Sequence, residues 1–178
     1  MSVLRLTDVA DNTRATKIYW DERCEKLWGA RFHGHFLDDE QIIQKMDAVN
    51  KDVLEGILYD LNAGPIHILE CACGIGRYSG FIKSMISAKD SYLGIDFATK
   101  NIEEANKLYA AENVKFLEAD MALFKTDQKF DLIYMVSVMS SIEQTSQEII
   151  NHLRSLLSPG GAIAVFEQDC YYVRWRNG

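Results

Sequence analysis

The stretch ILECACGIGRYSGF, Ile68 to Phe81, gathers the residues of this chain best suited to chemistry: a carboxylate at Glu70, thiols at Cys71 and Cys73, and the pair Gly74-x-Gly76. Two chemistries compete for it. A CxC pair can ligate a metal or cycle through a disulfide, but a metal needs a second ligand pair, and neither His67 nor the distant Cys170 lies at a spacing that supplies one. Both cysteines fall in an apolar run that alternates as a strand does, which places them on one face as small hydrophobes. The other chemistry is ligand binding against backbone. Gly74 and Gly76 let the chain turn tightly and put no Cβ in the path of a ligand over the loop. Asp96 stands twenty positions beyond Gly76, the spacing at which an acid accepts hydrogen bonds from a ribose diol.

Such a loop works only at a particular place in a sheet. Ile66–Glu70, Ser91–Ile95, Val114–Leu117, Leu132–Val136 and Ala162–Phe166 are short, apolar and β-branched or aromatic, the pattern of buried parallel strands. Arg77–Ser87, Ala98–Ala111 and Glu143–Leu157 carry helix-spaced apolar residues between them, and Pro159-Gly160-Gly161 stops the last. The alternation predicts an α/β fold, a Rossmann-like open and mostly parallel sheet with helices on both faces. Glu40–Asn62 precedes it as an amphipathic helix with Ile42, Ile43, Met46, Val49, Val53, Leu54, Ile57, Leu58 and Leu61 on its apolar side. Gly74 and Gly76 then follow the first strand and open the first helix, where open α/β sheets take their ligands.

Composition sets the bounds. The 178 residues, 48% of them hydrophobic, suit a single domain. It divides into an N-terminal lid and helix (1–63), a cofactor-binding core (64–170) and a tail (171–178). A net charge of -7 argues against nucleic acid or an anionic membrane as partner and favours a small molecule. Cys24, Cys71, Cys73 and Cys170 are too few and too scattered for a disulfide framework. The N-terminus has no uninterrupted apolar run, and no stretch approaches the roughly 18 apolar residues of a spanning helix, so the chain reads as cytoplasmic.

Nicotinamide dinucleotides and S-adenosylmethionine both use this layout, and charge separates them. A dinucleotide sets an anionic pyrophosphate at the helix N-terminus, which a carboxylate at the lip of the same loop opposes. S-adenosylmethionine brings an ammonium and a sulfonium, which Glu70 suits by several kcal/mol at an effective dielectric of about 20, before desolvation. The third glycine of the dinucleotide fingerprint is also missing: that position is Ser79, with Gly80 one later.

Glu70-Cys71-Ala72-Cys73-Gly74-Ile75-Gly76 resembles motif I of the class I S-adenosylmethionine-dependent methyltransferases of small-molecule type, with Ala72 in place of the first glycine. The resemblance continues through YLGIDFA, VKFLEADMALF, FDLIYMVSVMSSI and LLSPGGAIAVFE, covering Ile66 to Glu167. It implies S-adenosylmethionine as cofactor, with Glu70, Ala72, Gly74 and Gly76 at its methionine end, Asp96 on the ribose, Phe97 flanking adenine, Asp120 accepting from the adenine amino group, Met121 supplying the adjacent amide and Val136 in motif IV. Ser140 and Ser141 fall where many relatives carry a histidine, so the familiar polar contact of motif IV is missing.

Upstream, YWDERCEKLWGARFHGHF is similar to the N-terminal lid of such enzymes. It offers Tyr19, Trp20, Trp28 and Phe32 as aromatic walls able to bury an acceptor and attract a sulfonium. His33, His35, Glu167 and Asp169 are candidates to take a proton from the acceptor. The family usually continues past its fifth strand, whereas this chain ends at QDCYYVRWRNG. A bare edge is an association liability. It is covered by another copy, making a homodimer, or by the tail folding back, or else the chain is a shortened form of something longer. The expected function is methyl transfer to a small-molecule N, O or C nucleophile. A non-catalytic or regulatory cofactor-binding module is the alternative, and an NAD-dependent oxidoreductase stands behind both.

Overall fold

The computed structural model describes residues 17–22, 24, 40–61, 64–139, 146–167 and 173–176. Strands β1 (His67–Cys71), β2 (Ser91–Asp96), β3 (Val114–Glu118), β4 (Phe130–Val136), β5 (Leu157–Phe166) and β6 (Val173–Arg176) form one sheet in the order β3-β2-β1-β4-β5-β6. β1 to β5 run parallel and β6 lies antiparallel to β5. Because β2 and β3 extend the sheet to one side of β1 and β4 and β5 to the other, the order reverses between β1 and β4. Ligands of open sheets bind in the crevice outside the carboxyl ends of the strands at such a point.

Two apolar layers cover the sheet. Helices α1 (Glu40–Leu61), α2 (Ser79–Met85) and α3 (Thr99–Tyr109) close one face, where Leu54, Ile57, Leu58, Ile82, Ile102 and Ala105 pack on Ile68, Tyr92, Leu132 and Tyr134. Helix α4 (Ser146–Ser155) closes the other, setting Ile149, Ile150 and Leu153 on Leu69, Ile133, Met135 and Ile163. Burying both faces is what makes β1 and β4 near-continuous apolar runs. β3, at the edge, buries only Val114 and Phe116 and exposes Lys115, Leu117 and Glu118.

Several expectations change in detail. Val49 is 61% exposed: five residues before Leu54, it points about 140° away around the helix. α4 stops at Ser155, short of the expected Leu157. β5 begins at Leu157 and carries Pro159-Gly160-Gly161 inside it. The β4–β5 register shifts between Phe130 and Leu132, Gly160 takes φ 79°, and a Cβ on Gly161 would lie 2.9 Å from the Phe130 carbonyl oxygen. Gly160 and Gly161 therefore accommodate an irregularity in strand pairing as well as a turn.

Of the coverings expected for the β5 edge, the fold-back of the tail is the one present within the chain. Ala162 to Val165 pair with Arg176 to Val173, so part of the expected tail belongs to the sheet. The fold-back accounts for the edge without a homodimer through β5.

The two cysteines do not share a face. Ala72 takes φ 54°, which ends the strand alternation after Cys71. Cys71 packs with Leu69 and Ile133 under α4, while Cys73 packs with Ile68 and Tyr92 on the opposite side.

Gly94 of β2 holds the α3 face closed, since a Cβ there would lie 2.8 Å from the Phe116 ring and 3.0 Å from Cys73 Sγ. Gly94→Ala should therefore cost about 1–3 kcal/mol through overpacking. Urea unfolding of the two proteins checks this, and equal midpoints would contradict it.

Candidate functional site

The segment leaving β1 bends at once. Ala72, Gly74 and Gly76 all have positive φ (54°, 56° and 82°), and for Ala72 the left-handed conformation costs roughly 1–2 kcal/mol. The bend is held by backbone hydrogen bonds from Cys73 N to Ile95 O (2.9 Å), Gly76 N to Cys73 O (3.0 Å) and Ser79 N to Gly76 O (3.0 Å). α1 braces it from outside. Arg77 Nε donates to Asp47 Oδ2 at 2.9 Å, Tyr78 OH donates to Asp47 Oδ1 at 2.7 Å, and the Arg77 guanidinium is ion-paired with the same carboxylate.

Gly76 was expected to leave room for a ligand. In the fold its missing Cβ is filled from within the chain, because a Cβ would meet the Tyr109 ring at 2.8 Å and Ser79 Oγ at 2.9 Å. Gly76 is buried, whereas Ala72, Gly74 and Ile75 are half-buried along the turn.

Asp96, at the carboxyl end of β2, is 4% exposed. Its Oδ2 accepts from Gly74 N at 2.9 Å, and its Oδ1 accepts from Ala98 N at 2.8 Å and Asn101 Nδ2 at 3.2 Å. Burial raises its pKa against these hydrogen bonds. A carboxylate offers about four acceptor positions, so three protein donors leave about one for a ligand. The Asn101 Oδ1 beside it is buried without a partner among the described residues. Asp120 closes its own turn by accepting from Ala122 N at 2.9 Å. Phe97, Asp120, Met121 and Val136 are half-buried at the same end of the sheet.

Glu70 lies deeper than the lip position expected of it. It sits within β1, 3% exposed, with Tyr134 OH donating to Oε2 at 2.6 Å and Tyr92 OH donating to the same oxygen. Ser79 Oγ meets Tyr92 OH at 2.8 Å. Burial raises the Glu70 pKa from 4.5 to about 7, against the hydrogen bonds from Tyr134 and Tyr92. Sequence reasoning missed the two tyrosines. Their only signal was a hydroxylated ring in the interior of each strand flanking Glu70.

The loop after β4 is also clamped. Glu167 Oε1 accepts from Val138 N at 2.8 Å and Met139 N at 2.6 Å, and the intervening backbone is held by Ser137 N donating to Phe166 O at 2.7 Å. Glu167, a candidate base from sequence, is thus engaged as a clamp on this loop.

From the N-terminal segment, Asp21 Oδ1 accepts from Lys100 N at 2.9 Å. It thereby caps α3, whose own N-cap Ala98 makes no side-chain bond. Lys17 pairs with Glu118 at the end of β3. Residues 17–22 are thus fastened to the carboxyl side of the sheet, where Tyr19 and Trp20 stack edge to face with centroids 5.3 Å apart. Trp28, Phe32, His33, His35, Asp169 and Cys170 lie outside the described residues.

The fold and this turn define an open α/β sheet whose strand order reverses beside a glycine turn, and comparison with known proteins gives its family. Residues 68–161 match the family described as methyltransferase domain. The chain belongs to that family. It is 30% identical over 121 residues to malonyl-[acyl-carrier protein] O-methyltransferase 2 of Ilyobacter polytropus, an alignment covering 66% of this chain and 46% of the relative; the chain thus spans less than half of that protein. Among solved structures, the magnesium protoporphyrin IX methyltransferase of Synechocystis PCC 6803 with bound SAM superposes with a TM-score of 0.65 at 18% identity, covering 93% of this chain and 77% of that one. The N-methyltransferase NodS of Bradyrhizobium japonicum WM9 in complex with S-adenosyl-L-homocysteine gives 0.63 at 19% identity, covering 84% and 71%. The expected Rossmann-like methyltransferase fold is the fold observed.

Glu70 makes stability depend on pH in a defined direction. With the folded pKa at about 7 and the ordinary value at 4.5, the folded state favours the neutral acid. That contribution is full below pH 4.5 and is lost as pH rises through about 7, where the buried charge costs roughly 3 kcal/mol. Glu70→Gln should therefore gain roughly 2–3 kcal/mol relative to wild type between pH 5 and pH 8. Urea unfolding at the two pH values tests it, and a pH-independent difference would contradict it.

Proposed function

We propose that this chain binds S-adenosylmethionine at the carboxyl ends of β1 to β4 and transfers its methyl group to a small-molecule N, O or C nucleophile. One observation carries the proposal: in a methyltransferase-family fold, a buried carboxylate, Glu70, lies in β1 beside the sheet's reversal point and beneath the turn that a ligand would cross. A cation is the complement of that charge, and a pyrophosphate is not. The unpartnered Asn101 Oδ1 beside Asp96 adds a second fit, because a buried acceptor favours a ligand that brings hydroxyl donors.

On this reading Glu70, Ala72, Gly74 and Gly76 form the methionine end. Asp96 uses its remaining acceptor position on the ribose, and Phe97, Asp120, Met121 and Val136 surround the adenine side. Gly76 contributes through the turn and the Tyr109 packing beneath it. The cofactor supplies a methyl group already activated by a sulfonium, with a neutral leaving group. The chain's own task is to orient the acceptor, exclude water and remove a proton where the acceptor carries one.

Tyr19 and Trp20, fastened over the carboxyl side through Asp21 and Lys17, are suited to the lid, with Trp28 and Phe32 as its further walls. His33 and His35 are the proton acceptors we assign. The likeness to an O-methyltransferase acting on a malonyl carrier supports an oxygen acceptor. The buried thiols of Cys71 and Cys73, which form no disulfide, support a cytoplasmic setting. Among the described residues no helix is long and apolar enough to cross a membrane.

Titration calorimetry with S-adenosylmethionine, S-adenosylhomocysteine and NAD tests the proposal. The first two should bind and NAD should not. Asp96→Ala should weaken S-adenosylhomocysteine binding by about 1.5–3 kcal/mol, through loss of a charge-assisted acceptor and of the Gly74 anchor. NAD binding without S-adenosylhomocysteine binding would overturn the assignment.

A further inference from the structure

The tyrosines flanking Glu70 have no role in the methyl-transfer reading, yet their placement is specific. Glu70 pairs in register with Gly94 of β2 and Tyr134 of β4. Tyr92, two residues before Gly94 and on the same face, reaches across to the carboxylate. Both hydroxyls converge on Oε2 of one carboxylate, and among the described residues no donor falls on Oε1. Two donors on the same oxygen fix the carboxylate's orientation while leaving the second oxygen available.

We propose that Tyr92 and Tyr134 are positioning residues for cofactor binding: from the strands on either side of β1 they hold Glu70 by one oxygen, presenting the other, in its ionised form, to the cofactor's ammonium. This rests on the assignment of the cofactor in the preceding subsection. Its physical content is that the two hydroxyls stabilise the charged carboxylate against a burial that disfavours it, so cofactor affinity depends on both hydroxyls and on pH together. The other ionisable groups around Glu70 are known. Asp96, from the end of β2, raises its pKa, and Arg77, from the turn before α2, lowers it. The thiols of Cys71 and Cys73 and the phenols of Tyr92 and Tyr134 are themselves pushed upward by burial, so they stay neutral through the range in which Glu70 ionises.

The test is the affinity of the wild type, Tyr134→Phe, Tyr92→Phe and Glu70→Gln for S-adenosylhomocysteine between pH 5.5 and 8.5, with thermal melting to confirm that each variant is folded. In the wild type, Kd should be flat above about pH 7 and weaken about tenfold per pH unit below it. Losing one hydrogen bond to a charged group should move the bend upward by about one pH unit. Tyr134→Phe would then bind roughly eightfold more weakly than wild type at pH 6.5 and nearly as well at pH 8.5. Tyr92→Phe should move in the same direction, and the residual binding of Glu70→Gln should show no bend. A purely structural role for the tyrosines would weaken binding by the same factor at every pH, or not at all, and either result would overturn the proposal. Absence of S-adenosylhomocysteine binding at any pH would remove the cofactor assignment and this proposal with it, whereas binding with parallel profiles removes this proposal alone.

Discussion

A single carboxylate buried in the middle of the sheet constrains much of what surrounds it. Glu70 lies in β1, the strand beside which the strand order reverses, and an ionised group there is expensive unless its oxygens are satisfied. The neighbouring strands answer that cost directly. Each supplies a tyrosine whose hydroxyl reaches Oε2, and α2 supplies Ser79 to hold one of those hydroxyls in turn. Even so, the group is left poised near neutral pH rather than fully stabilised. A core built for stability alone would place an aliphatic side chain at this position. Stability given up at one buried site is the usual mark of a site kept for binding.

The rest of the cleft is built to hold the turn above that carboxylate still. Asp96 ties Gly74 to the end of β2 and to the first turn of α3, Asp47 ties Arg77 and Tyr78 to α1, and Tyr109 fills the space that Gly76 and Gly80 leave open. On the far side Glu167 fixes the loop after β4 through two amides. These contacts come from elements distant in sequence and converge on the carboxyl ends of the strands. A bound molecule there would meet a backbone already ordered, and such preorganisation lowers the entropy lost on binding.

Much of this was legible in the sequence because it is local or regularly spaced. The β–α alternation gave the parallel sheet, and the intervals from Glu70 to Gly76 and from Gly76 to Asp96 placed the turn and the strand-end acid correctly. What escaped depends on register, backbone sign or long-range pairing. Tyr92 and Tyr134 read as ordinary strand formers until the alignment of β2 and β4 on β1 brings both rings to one carboxylate. Cys71 and Cys73 diverge because Ala72 adopts a positive φ that its residue type does not announce. The Cβ space at Gly76 abuts Tyr109, a partner 33 positions away that the glycine itself does not announce. The Asp47–Arg77 brace joins residues whose charges say nothing of their separation in the fold. The tail's strand character was visible, but its antiparallel pairing with β5 is a property of the folded sheet.

The central claim, that Glu70 ionises to receive a cation, is most directly tested by the protons exchanged on binding. Calorimetric titration of S-adenosylhomocysteine at pH 7 in two buffers of different ionisation enthalpy measures that number. With Glu70 at its midpoint near pH 7, binding should release about half a proton per cofactor, and the release should vanish in Glu70→Gln. Binding with no proton exchange, or with the same release from Glu70→Gln, would contradict the claim.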